Sequence, residues 1–157
     1  MYIIQMIETW SIPTWIFFHT LAERISADFL LNKTNDVLRI IKLICSNLPC
    51  PTCKSHAIFY MKSVSPNSIK TKKNLRLMFF HFHNIVNARL GKKQYKETDL
   101  AKYKYGRIDI IYINFINNYT KKYNTQLLAG RISQNYSRLQ IGKQLNTWFR
   151  ENWNKFN

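Results

Sequence analysis

Apolar residues recur along this chain at helical rather than strand spacing. Across residues 12–27, Trp15, Phe18, Leu21, Ala22 and Ile25 lie three or four positions apart, which predicts a first helix with one apolar face. Ser11 is placed to cap it and Pro13 suits its first turn. His19 follows Trp15 by four positions, on the same face. A second helix is expected over residues 35–46, capped by Thr34 or Asn32 and rich in Val37, Leu38, Ile41, Leu43, Ile44 and Cys45. Asn47, Leu48 and Pro49 end it. A third helix starts at or beside Cys50, with Pro51 early in it, and reaches about Lys62, short of an SVSPNS loop. The fourth covers residues 72–90, striped by Leu75, Phe79, Phe82, Val86 and Leu90 and stopped by Gly91. A short fifth helix over 98–105 ends at Gly106.

Residues 107–157 read as an appendage. In RIDIIYINFINNY the β-branched residues favour a strand while the apolar spacing permits a helix. Residues 133–156 read as helix, with Tyr136, Leu139, Leu145, Trp148, Phe149 and Trp153 on one broad face. The pattern as a whole predicts an all-α fold.

Composition narrows the class. At 157 residues the chain is expected to form one domain with its own core. A hydrophobic share of 46%, with 15% aromatic, argues against disorder, and four Gly with four Pro leave few turns for a many-stranded fold. The most apolar run, residues 12–21, is interrupted by Pro13, Thr14, His19 and Thr20, so no transmembrane segment is expected. The opening MYIIQMIETW lacks a basic lead and a cleavage site, so no signal peptide is expected either. Both point to a reducing, cytoplasmic setting, where a CxxC is more often catalytic or metal-binding than a structural disulfide. The formal net charge of +16 suits nucleic acid, an anionic membrane surface or acidic partners. The lysines are scattered rather than striped, which weighs against a dedicated nucleic-acid reader.

Candidate chemistry centres on NLPCPTCKSHA. A cysteine pair at a helix start feels the positive end of the helix dipole and unpaired backbone N–H groups, which favour thiolate. Two intervening residues let the sulfurs form a reducible disulfide. Other readings remain open at this point. Cys50, Cys53 and His56 with His81 or His83 could ligate zinc. A basic, nucleic-acid-binding structural protein with an incidental CxxC is a further possibility, whereas no βαβ pattern precedes the pair to suggest a thioredoxin. Trp15, His19 and His83 offer rings that either pack a core or wall a flat heterocycle.

Three segments in order, WIFFHTLA, CPTC and HNIVNARLGK, carry a more specific signal. Together they resemble the Erv/ALR family of FAD-linked sulfhydryl oxidases, whose pattern is W-x-x-x-H, a CxxC at a helix start, and H-N-x-x-N-x-x-L-G-K. The resemblance covers roughly residues 11–105 and is greatest to members from large cytoplasmic DNA viruses. It implies a four-helix bundle with a short fifth helix in residues 1–106, usually dimeric, with 107–157 an extension of unassigned role packed on the bundle or at a dimer interface. It implies that Cys50 exchanges with a protein dithiol, such as that of a small CxxC redox protein, and that Cys53 passes electrons to FAD and on to O2, giving H2O2. Trp15, His19, His83, Asn84 and Asn87 match the family's FAD contacts, Arg89 and Lys92 suit its phosphates, and Tyr103 or Tyr105 the aromatic after the fifth helix. No nucleic acid or metal is required, and a viral member would act in host cytoplasm or virion. The chain departs from the pattern in having a single spare cysteine, Cys45, expected as a buried free thiol, and so no structural disulfide for the extension. His56 has no assigned role.

Overall fold

The computed structural model describes residues 2–123 and 131–156. Among these the fold is all-α, with no strand and a single isolated antiparallel bridge between Ile25 and Phe156.

Helix α1 (Tyr2–Arg24) begins ten residues before the expected start. Pro13 therefore sits inside it, and Ser11 is a helical residue rather than a cap. An internal proline forgoes one backbone hydrogen bond. The helix nonetheless continues through it, with Trp10 and Thr14 buried on either side and the Thr14 hydroxyl donating to the Trp10 carbonyl at 2.6 Å. The helix stops at Arg24, and a separate short helix α2 (Ala27–Asn32) follows that the apolar pattern did not predict. Ser26 caps α2 by accepting from Phe29 N–H at 3.1 Å. Helix α3 (Thr34–Cys45) starts after Lys33, not after a Thr34 or Asn32 cap. The Thr34 hydroxyl is turned back to donate to the Leu30 carbonyl at 2.6 Å, and the Asn32 amide is spent on Asp28.

Helix α4 (Pro51–Lys62) is followed by a 3-10 turn (Pro66–Ile69) that plugs Ile69 into the core. Thr71 caps α5 (Lys72–Arg89). At its far end Gly91 takes φ +67°, and the bonds Lys92 N–H to Asn87 carbonyl (2.8 Å) and Gly91 N–H to Ala88 carbonyl (3.2 Å) close the helix. The expected fifth helix is a 3-10 helix (Glu97–Tyr105). Gly106 follows it, where a Cβ would lie 2.9 Å from both Thr20 and Ile111.

RIDIIYINFINNY resolves as helix α6 (Ile108–Tyr119). Ile108, Tyr112, Phe115, Ile116 and Tyr119 make a buried face at helical spacing, so packing overrides the strand propensity of the β-branched residues. Helix α7 (Arg131–Asn152) and a 3-10 turn (Trp153–Lys155) complete the chain. The face of α7 is narrower than expected. Ile141, Leu145, Trp148 and Phe149 are buried, while Tyr136, Leu139 and Trp153 point outward. Leu90, expected on the stripe of α5, is likewise 45% exposed, because the helix has ended before it.

α1 is the central element, packing on α5, α6 and the 3-10 helix, while α3 packs on α2, α4 and α7. Adjacent residues of α1 serve its two sides. Phe17 stacks on Phe115 of α6 (4.5 Å between centroids) and Phe18 on Phe79 of α5 (4.7 Å). Three long-range polar contacts fasten α6, α7 and the final 3-10 turn to the remainder. Tyr119 Oη donates to the Ile44 carbonyl at 3.1 Å, Trp148 Nε1 donates to Asp36 Oδ2 at 2.6 Å, and Ser26 N–H donates to the Lys155 carbonyl at 2.7 Å.

Candidate active site

Cys50 is the N-cap of α4, in extended backbone conformation, and Pro51 is the first helical residue. The next-but-one position, Cys53, stands in the third helical place, where a carboxylate commonly answers the helix dipole. α2, α3 and α6 each have an acid in the first turn, and α4 has none. Cys53 N–H points at Cys50 Sγ, 3.2 Å away. The two sulfurs are joined as a disulfide, with Cα atoms 5.2 Å apart. A thiolate released at Cys53 would therefore meet the uncompensated positive end of α4.

Both cysteines are half-buried. Cys53 lines a narrow apolar cleft, with free space of about 40 Å³, together with Trp10, Thr14 and Trp15 from α1, Ala57 from α4, and Phe82, Val86 and Arg89 from α5. Cys45 lies on the same wall, fully buried, with its thiol pushed up by desolvation so that it stays protonated.

Beside the cleft four rings stand in a row. Trp15 stacks on His83 at 4.0 Å with planes 1° apart, His83 on His19 at 5.1 Å, and His19 on Tyr103 at 5.0 Å. His19 Nε2 and His83 Nδ1 are 2.8 Å apart, a hydrogen bond in which one ring donates and the other accepts, so the accepting ring is neutral. Burial first, then the neighbouring His83 and Lys102, lowers the His19 pKa to about 3. Burial and Lys92 lower that of His83 to about 4.

Asn84 and Asn87 hold the backbone of the loop after α5. Asn84 donates to the Tyr95 carbonyl (2.9 Å) and accepts from Tyr95 N–H (2.8 Å), and Asn87 donates to the Lys93 carbonyl (3.2 Å). The loop so fixed borders an open hollow of about 520 Å³, in which Lys92, Lys93 and Lys102 outnumber the one carboxylate, Asp99, beside Asn87 and Tyr95. Arg89 faces the cleft and Lys92 the hollow. Tyr103 joins the ring row, whereas Tyr105 is 87% exposed.

The structure thus brings Cys53, Trp15, His19, His83, Asn87, Arg89, Lys92 and Tyr103 together where the second half of α1 meets the start of α4 and the end of α5. The residue pattern had not singled out Phe82, Tyr60 or Tyr95 here. Phe82 packs edge-on to Trp15 and flat on Tyr60, and Tyr95 leans on His83 at 4.8 Å. Tyr95 did carry a signal, as the only aromatic in the basic run GKKQYK. His56 and His81, two of the histidines considered for zinc, are exposed. Among the described residues no three His, Cys, Asp or Glu converge on a metal position.

Comparison with known proteins adds a family. The Erv1/Alr family model matches residues 12–106. The chain is 33% identical over 86 residues to the Invertebrate iridescent virus 3 protein named "Putative FAD-linked sulfhydryl oxidase 096R", covering 54% of this chain and 58% of that protein. It is 32% identical over 74 residues to the FAD-linked sulfhydryl oxidase of African swine fever virus, covering 41% of this chain and 61% of the relative. It thus aligns with about three fifths of the length of these relatives. No solved structure matches.

Proposed function

The chain belongs to the Erv1/Alr family, and on that premise we propose that it is an FAD-dependent thiol oxidase that makes disulfides in protein substrates. The observation that carries this reading is the disulfide at the start of α4, with Cys53 on the wall of an apolar cleft beside the Trp15, His83 and His19 rings. The relatives' names point the same way. The oxidase unit is residues 1–106, with 107–157 as its extension.

The residues present fit the flavin nucleotide. Trp15, Phe82 and Val86 offer apolar walls next to Cys53. The neutral imidazoles and Asn87 offer hydrogen-bonding edges, and Arg89, Lys92, Lys93 and Lys102 offer positive charge to a diphosphate. When bound, FAD supplies a two-electron acceptor that hands the electrons to O2, with H2O2 as product.

The chain's own part is thiol exchange. A substrate thiolate attacks Cys50 Sγ, the Cys50–Cys53 bond breaks, and Cys53 leaves as thiolate, stabilised by the positive end of α4. A second substrate thiolate then attacks the substrate sulfur of the mixed disulfide and releases Cys50. The substrate has lost two electrons and two protons, and the protein is left as a dithiol. The active form is proposed to be a homodimer, checked by a light-scattering mass of twice the 18.8 kDa chain.

The test is a visible absorption spectrum of the purified protein followed by oxygen uptake on adding dithiothreitol. The expected result is a flavin spectrum and oxygen consumption that Cys53→Ser abolishes. A colourless protein that free FAD does not reconstitute overturns the reading.

A further inference from the structure

The chain's charge is not distributed as evenly as its lysines. All eight carboxylate residues lie within residues 1–36 and 97–157. The sixty residues between carry twelve Lys and Arg and no Asp or Glu. That stretch holds almost all of α3, then the CxxC, α4 and α5. The described ion pairs, Arg39–Asp36, Arg76–Glu23 and Arg107–Asp109, leave Lys54 and Lys62 of α4 without a described carboxylate partner.

The outward side of α4 adds a second observation. Thr52, Ser55, His56 and Phe59 share an exposed face that begins beside the disulfide, and Phe59 is 78% exposed. From Cys50 to Phe59 the helix rises about 13 Å, the reach of roughly four residues of extended chain. An apolar ring so exposed, at that distance from the reacting sulfur, is shaped to meet a protein segment rather than a small thiol.

We propose that the substrate is an acidic protein: its reactive cysteines lie in a carboxylate-rich segment that docks along the exposed face of α4, with an apolar side chain on Phe59. This rests on the thiol-oxidase reading. Charge selects the occupant. A second copy of this chain would set one carboxylate-free stretch against another, and nucleic acid or an anionic membrane would leave Phe59 and the exchange chemistry unexplained. Electrostatic attraction of this kind raises encounter rates and is weakened by salt.

The experiment compares three substrates in the flavin-loaded protein by oxygen uptake. They are dithiothreitol and two peptides with the same Cys-x-x-Cys core, one flanked by Asp and Glu and the other by Lys. The expected kcat/KM for the acidic peptide exceeds that for the basic one by about tenfold or more at low salt, and the ratio shrinks to below about threefold in 0.5 M salt. Lys54→Glu combined with Lys62→Glu should compress the low-salt ratio, and Phe59→Ser should lower kcat/KM for the acidic peptide while leaving dithiothreitol unchanged. Turnover of dithiothreitol with equal rates on the two peptides, or a preference that salt does not touch, overturns the docking proposal and leaves the oxidase reading standing. No turnover of any of the three removes both.

Discussion

His19 and His83 are two bases kept neutral against each other in a buried place. Their folded pKa values, about 3 and about 4, lie below the ordinary value of 6.5. The unfolded chain therefore binds protons first as pH falls. Stability from this pair is complete above pH 6.5 and is lost progressively as pH falls toward 3, by an order of a few kcal/mol by pH 4. Urea midpoints measured from pH 7 to pH 4 should show that slope, and His83→Gln should flatten it. At the sulfurs, Cys50→Ser and Cys53→Ser should each reduce dithiol turnover by more than about a hundredfold, because either change removes the bond that is exchanged. Cys45→Ser should stay active, its protonated and buried thiol having no part in exchange. Much of this was legible in the residue spacing. Trp15 and His19 at four positions, and the His83-Asn84-x-x-Asn87 run, fix which side chains share a helix face. The order of the rings was not legible, since it depends on how α1 and α5 cross. The bonds from Asn84 to both backbone groups of Tyr95 were not either, because a side chain's choice between ligand and loop leaves no periodic trace.

At the scale of elements, the helices that a single apolar stripe defines were read well. Errors fell where local chemistry competes. Pro13 looked like a first-turn residue, yet it lies inside a long helix that begins well before it. The break at Ile25 and Ser26 was hidden because the apolar spacing runs on through α2, while the actual signal was the Ser26 cap. α6 and α7 meet closely at Gly142, where an added Cβ would lie 2.5 Å from Thr120 Cγ2. Gly142→Ala should therefore destabilise the fold by about 1 to 3 kcal/mol despite the better helix propensity of alanine, read as a lower midpoint in thermal melts. A stabilising outcome would mean that α7 can slide on α6.

For the whole molecule, the extension is fastened by a few directed bonds and a bed of rings. Tyr119→Phe leaves the Ile44 carbonyl without its side-chain donor and should cost about 1 to 2 kcal/mol, and Trp148→Phe, which frees Asp36 Oδ2, should cost a similar amount. The two sites hold different parts of α3, so the double variant should lose close to the sum, a cycle that denaturant titration can close. Neither contact could be foreseen from residue order, because each joins positions 75 or more apart along the chain.

The one disulfide spans four residues of a single helix start, and the third cysteine is sealed away. No sulfur bridge among the described residues ties one helix to another. Shape and redox state are thus decoupled in this molecule. If the disulfide is opened and remade as proposed, the frame need not open with it, because the frame is held by contacts that thiol reagents do not touch.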